Sequence, residues 1–159
     1  MESQTENPMA KGPPKTVALD HDDYHAEYVG KTEDGRQFFL TTPFVPAETV
    51  GSDTGREFIA LYLFDKDGGL LTATIDDLGP RSKLDHEACI ARRDELLASL
   101  GKVKYCRIKI APFEVKRFGV VFGFIPQPPE EDGEDWSVIV EPGNCMCFWP
   151  PWTSGYYDT

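Results

Sequence analysis

Two cysteines one residue apart, Cys145-Met146-Cys147, would project two thiols from the same face of a strand, where the deprotonated sulfurs could share a soft metal ion. Cys106, Cys89 or a histidine among His21, His25 and His86 could complete the ligand set. Zinc sites, however, usually separate paired cysteines by two to four residues. Free cysteine is also among the most often buried residue types and packs as a small hydrophobe, so core packing is the stronger reading of all four cysteines. No cofactor is expected. Cys145, Cys147 and Cys106 stand as the metal alternative.

Asp20-His21-Asp22-Asp23-Tyr24-His25 concentrates carboxylates and imidazoles, the oxygen and nitrogen ligands that divalent ions take. It lacks the glycine and the spaced oxygens of a calcium loop and has no HExxH spacing, and a hydrated segment before the first strand explains it better. His86 and Cys89 are three residues apart on a helical stretch, a spacing at which an imidazole could activate a thiolate. No orienting carboxylate or oxyanion donor accompanies them. Asp76 and Asp77 are adjacent, so in a strand they point to opposite faces, and the expectation is that they end a strand before Gly79-Pro80. There is no GxSxG, P-loop or GxGxxG motif, and Gly119 to Gly123 fits a closely packed strand. No catalytic residue is assigned.

Two features suit binding. The segment Pro126 to Asp135 combines prolines with Glu130, Glu131, Asp132, Glu134 and Asp135, and reads as a solvated acidic loop. At the C-terminus, Phe148-Trp149-Pro150-Pro151-Trp152 and Tyr156-Tyr157 gather large aromatics around a Pro-Pro pair that favours a stiff, polyproline-like path. Such a segment can strap a hydrophobic face, the favoured reading, or offer Trp149, Trp152, Tyr156 and Tyr157 as anchors to a partner.

The elements that must position these residues are mostly strands. Tyr24 to Gly30 and Arg36 to Val45 flank Asp34-Gly35, a pair suited to the positive φ angles of a tight hairpin turn. Phe58 to Phe64 is apolar on both faces and should be central; Asp65 to Gly69 turns it into Leu70 to Ile75. One helix is expected over Lys83 to Leu100, with Ser82 and Asp85 as a capping pair, Gly101 as its stop, and Ile90, Leu96, Leu97 and Leu100 among its apolar positions. Val103 to Pro112, Val115 to Ile125, Trp136 to Val140 and Cys145 to Trp149 complete about eight strands. The fold class is α+β, a mainly antiparallel sheet with one main helix. A leader over Met1 to Thr16 precedes a single domain over 17–159.

The chain has 159 residues, with 27 acidic against 16 basic side chains and a net charge of −11, which disfavours approach to nucleic acid phosphates. No apolar run of about 18 residues and no basic, apolar N-terminal segment occurs, so the expectation is a soluble cytoplasmic chain with reduced thiols and no membrane partner. The function these properties suit is that of a non-enzymatic module binding a basic protein, as an inhibitor or immunity-type partner does. Its surface would be the Glu130 to Asp135 loop, with Asp20, Asp22 and Asp23 as second choice. Two other classes stay open: a small enzyme or metal-dependent hydrolase with a dispersed site, and a structural module that oligomerises through strand edges.

Overall fold

The computed structural model describes residues 12–22, 26–48, 54–143 and 146–152. It is α+β: 47% strand, twelve strands in three antiparallel sheets, and a single helix. In chain order the strands are β1 (Val17–Leu19), β2 (Tyr28–Thr32), β3 (Gln37–Thr41), β4 (Phe44–Val45), β5 (Arg56–Phe64) and β6 (Leu70–Pro80). After the helix α1 (His86–Ser99) come β7 (Val103–Tyr105), β8 (Ile108–Ile110), β9 (Phe113–Arg117), β10 (Val120–Gln127), β11 (Ser137–Glu141) and β12 (Cys147–Phe148).

The central position expected for Phe58 to Phe64 is observed. One edge of β5 pairs with β6; the other pairs with β4 at its start and β3 at its end, and β2 and β7 continue the sheet. Phe58, Ala60, Tyr62 and Phe64 join the core shared with the four-stranded sheet β12-β11-β10-β9 and the pair β1-β8. Ile59 and Leu61 face the other way, into a second core under α1. The alternation along one strand thus builds a three-layer arrangement, helix on sheet on sheet.

Aromatic rings fill the layer between the sheets. Phe124 of β10 lies 5.9 Å from Phe39, 5.6 Å from Phe113 and 5.7 Å from Phe148, centroid to centroid. The second glycine of the Gly119 to Gly123 stretch makes the close approach expected of it: a Cβ on Gly123 would collide with the backbone carbonyl of Phe113. Tyr62 is also enclosed here, 1% exposed, and its hydroxyl has no hydrogen-bond partner among the described residues. Burial pushes its phenol pKa upward. A buried hydroxyl without a partner loses its hydration and gains nothing in return, so Tyr62→Phe should raise the unfolding free energy by about 1 kcal/mol in denaturant titration; an unchanged or lower stability would show that the hydroxyl has found a partner.

Several boundaries differ from the sequence reading. The helix begins at His86 because Asp85 is its N-cap, in extended backbone, accepting a hydrogen bond from the Ala88 N–H at 3.1 Å; Arg81–Lys83 forms a 3-10 turn instead. Only the last turns of α1 are buried, through Leu96, Leu97 and Leu100, while Ile90 is 49% exposed. The stretch Val103 to Pro112 is two strands: β7 pairs with β2, and β8 pairs with β1. Val115 to Ile125 is likewise interrupted, by a turn at Phe118 and Gly119, both at positive φ. The expected strand Arg36 to Val45 is also divided, into β3 and β4, and β1 was unforeseen, so the count of about eight strands becomes twelve among the described residues. Asp76 and Asp77 do not end β6, which runs on to Pro80; Asp76 pairs with Arg92 of α1 and Asp77 bidentately with Arg56 of β5.

The hairpin at Asp34-Gly35 forms as expected, with Gly35 at φ 91°. The Thr32 hydroxyl donates to Asp34 Oδ1, and the Arg36 guanidinium adds a second hydrogen bond at 3.0 Å. These, the hydroxyl first, lower the Asp34 carboxyl from its ordinary 3.8 to about 2. A carboxyl depressed in the folded state stabilises the fold above its unfolded pKa, and that contribution is lost as pH falls from 3.8 through about 2. Carboxyl titration followed by NMR should place Asp34 at the low end of this window, and Thr32→Val should move it back toward 3.8; a midpoint that ignores the substitution would assign the shift elsewhere.

Candidate functional site

The antiparallel register brings the acidic loop and one of the C-terminal tryptophans to the same end of the four-stranded sheet. Gln127 of β10 pairs with Ser137 of β11, closing residues 128–136 into a connecting loop. On the other edge of β11, Val138 faces Phe148, so the next residue, Trp149, reaches the level of Ser137 at the foot of that loop. Trp149 is 38% exposed.

The loop is tied by its own chain. Glu134 Oε1 accepts hydrogen bonds from the Glu130 N–H at 3.0 Å and the Glu131 N–H at 3.1 Å, and the Glu134 N–H donates to the Glu131 carbonyl at 3.2 Å. Gly133, at φ 88°, permits the tight return. One acidic side chain is therefore consumed in shaping the loop. Glu130, Glu131 and Asp132 stay exposed, and none makes a side-chain ion pair among the described residues. One oxygen of Asp135 at the base of the loop is enclosed without a hydrogen-bond partner, which adds to the negative potential of this end. The arrangement can offer carboxylates and an indole to cationic groups, since an ammonium or guanidinium can meet the former and lie over the latter.

The remaining C-terminal candidates divide. Trp152 packs against the core between the sheets; its carbonyl accepts from the Ala18 N–H at 2.9 Å, which fastens the C-terminal segment to the free edge of β1. For Trp152 the strap reading is the one the contacts bear out. The path is not polyproline-like: Pro150-Pro151 is cis, and the Trp152 N–H donates back to the Trp149 carbonyl at 3.0 Å across the two prolines. Tyr156 and Tyr157 lie outside the described residues.

The second-choice acidic segment is engaged internally. Asp20 pairs with Arg107, Asp22 Oδ1 accepts from the Ala26 N–H at 3.1 Å, and His21 stacks on Tyr105 with ring centroids 5.5 Å apart. Asp23, Tyr24 and His25 lie outside the described residues, as does Cys145. Cys106 sits between β7 and β8, whereas Cys147 is on β12 in another sheet. Among the described residues no group of three or more His, Cys, Asp or Glu side chains could hold a metal ion.

A recess of about 490 Å³ lies where α1 begins, its lining including Gly55, Glu57, Arg81, Ser82, Leu84 and His86. Its cation is already engaged: the Arg81 guanidinium bonds Glu57 at 3.2 Å and lies 4.1 Å above the Phe44 ring. Near the same helix start, burial first, then Glu57 and Asp85, push the Cys89 thiol pKa up. This is the opposite of the shift that activates a nucleophilic thiolate. Sequence reasoning had no sign of the recess, because it joins residues from β5, the 3-10 turn and α1 that only the sheet register brings together.

Among the described residues no helix is long and apolar enough to cross a membrane. The chain matches no protein-family model, and no curated protein or solved structure shows significant similarity to it.

Proposed function

We propose that this chain is a non-enzymatic binding module for a basic protein, in the manner of an inhibitor or immunity-type partner, and that it binds through the loop-bearing end of the four-stranded sheet. The observation that carries this reading is the joint placement of Glu130, Glu131 and Asp132, all without ion pairs among the described residues, and the half-exposed Trp149 at that end. Carboxylates held on a tied loop attract a basic surface over several ångströms and accelerate encounter, while a partly exposed indole supplies apolar area that becomes buried on contact. The net charge of −11 extends the same attraction over the whole molecule.

The test is capture from a lysate of the source cells on the immobilised full chain, at low and at high salt, beside a variant carrying Glu130→Gln, Glu131→Gln and Asp132→Asn. The reading expects a basic protein that the native chain retains at low salt, that salt releases, and that the variant fails to retain. Equal retention by both chains, or retention that salt does not affect, would count against it.

A further inference from the structure

We propose that the recess between the β2–β3 hairpin and β7 is a binding site for a small phosphate-class oxyanion, separate from the acidic end and independent of the reading given for it. The recess has a volume of about 200 Å³ and is lined by Lys31, Thr32, Glu33, Lys102, Val103 and Lys104. Three lysines and one glutamate therefore border it in a protein whose acidic side chains outnumber its basic ones by 27 to 16. None of the three lysines has an ion-pair partner among the described residues.

The register makes this placement costly. Lys31 of β2 and Lys104 of β7 are direct partners across the antiparallel ladder. Like charges directly opposite one another repel at a Cβ separation of roughly 5 Å and weaken the pairing of the strands that carry them. The strands lie close all the same: a Cβ on the neighbouring Gly30 would collide with the Lys104 carbonyl, so the two side chains spring from closely apposed backbones.

Ordinary structural roles account for part of the cluster only. A lysine on β7, the edge of its sheet, discourages pairing with another chain, and Lys102, just beyond the end of α1, is favoured by the negative end of the helix dipole. Neither reason applies to Lys31, because β2 is bonded on both edges, to β3 and β7. An oxyanion between Lys31 and Lys104 turns the repulsion into two charge-assisted contacts, with Lys102 as a third. The recess has room for a tetrahedral anion or the head of a phosphate monoester. It is too small to enclose a nucleotide.

The experiment titrates the full chain with inorganic phosphate, and separately with O-phosphoserine, at constant ionic strength held by chloride. NMR amide shifts around residues 31–33 and 102–104 are the readout, with melting temperature as a second. The native chain should give saturable shifts at these amides, and Lys31→Gln/Lys104→Gln should weaken binding about tenfold or more. Tighter binding of O-phosphoserine identifies the monoester as the ligand, and equal or weaker binding identifies the free anion. The order of melting temperatures should also invert. In chloride Lys104→Gln should melt above the native chain, because the like-charge pair is gone; in saturating phosphate the native chain should melt higher. Shifts that do not saturate, that persist in the double variant, or a native chain that phosphate stabilises no more than Lys104→Gln would overturn the proposal.

Discussion

Phe124→Ala is expected to lower the unfolding free energy by about 3–5 kcal/mol. Phe124 is fully buried, and its ring meets Phe39 from the six-stranded sheet, Phe113 from the neighbouring strand and Phe148 from the last one. Its removal deletes a ring that contacts both sheets at once and leaves a void bordered by stiff aromatic rings that cannot readily collapse to fill it. A loss of this size approaches the whole stability of an ordinary domain. The effect is read from urea unfolding of the native chain and the variant. Phe124→Leu, which keeps most of the volume, should retain a cooperative transition and lose less; a Phe124→Ala midpoint close to native would mean that the sheets are held together elsewhere.

Neutralising the loop should act on binding and leave the fold intact. Glu130→Gln, Glu131→Gln and Asp132→Asn change exposed carboxylates and keep both N–H groups that Glu134 accepts, so the loop retains its ties. Against the captured basic protein, the association rate constant at low salt should fall by about 10- to 100-fold, with the difference closing as salt rises. Trp149→Ala should show its effect in dissociation, costing about 2 kcal/mol or more if the indole is a buried anchor. Stopped-flow or surface-plasmon kinetics separate the two. An unchanged association rate for the neutral loop would remove the electrostatic half of the account, and an unchanged dissociation rate for Trp149→Ala the apolar half.

Much of the fold was legible because local chemistry and tertiary demand agree. Asp34-Gly35 and the Asp65 to Gly69 turn mark hairpins, and the two apolar faces of Phe58 to Phe64 require cover on both sides, which α1 and the four-stranded sheet supply. Boundaries were lost where the local signal is slight or absent. In Val103 to Ile110 the apolar positions slip phase once, at the adjacent Tyr105 and Cys106, and the buried set moves from Val103, under the helix, to Ile108 and Ile110, between the sheets, because the chain leaves β2 for β1 at Cys106 and Arg107. The turn at Phe118 is hidden for a different reason. Bulky residues rarely adopt positive φ, but Phe118 sits at φ 56° and stacks on buried Phe58 with centroids 5.9 Å apart, a contact far away in sequence.

The candidate site was legible as composition and illegible as geometry. Acidic residues and tryptophans are plain in the chain, but which carboxylates stay unpaired depends on contacts such as Asp20 with Arg107 and Glu134 with its own loop. The division between Trp149 and Trp152 depends on the edge of β1, which accepts one and leaves the other half exposed. The opposition of Lys31 to Lys104 follows from register alone.

Hydrogen exchange of the full chain, measured alone and in complex with the basic protein it captures, tests the central claim most directly. The account predicts slowed exchange at the amides of residues 128–137 and 146–152 and little change at the recess beside His86 or along β6. Protection confined to those other surfaces, with the loop and Trp149 exchanging as in the free chain, would contradict it.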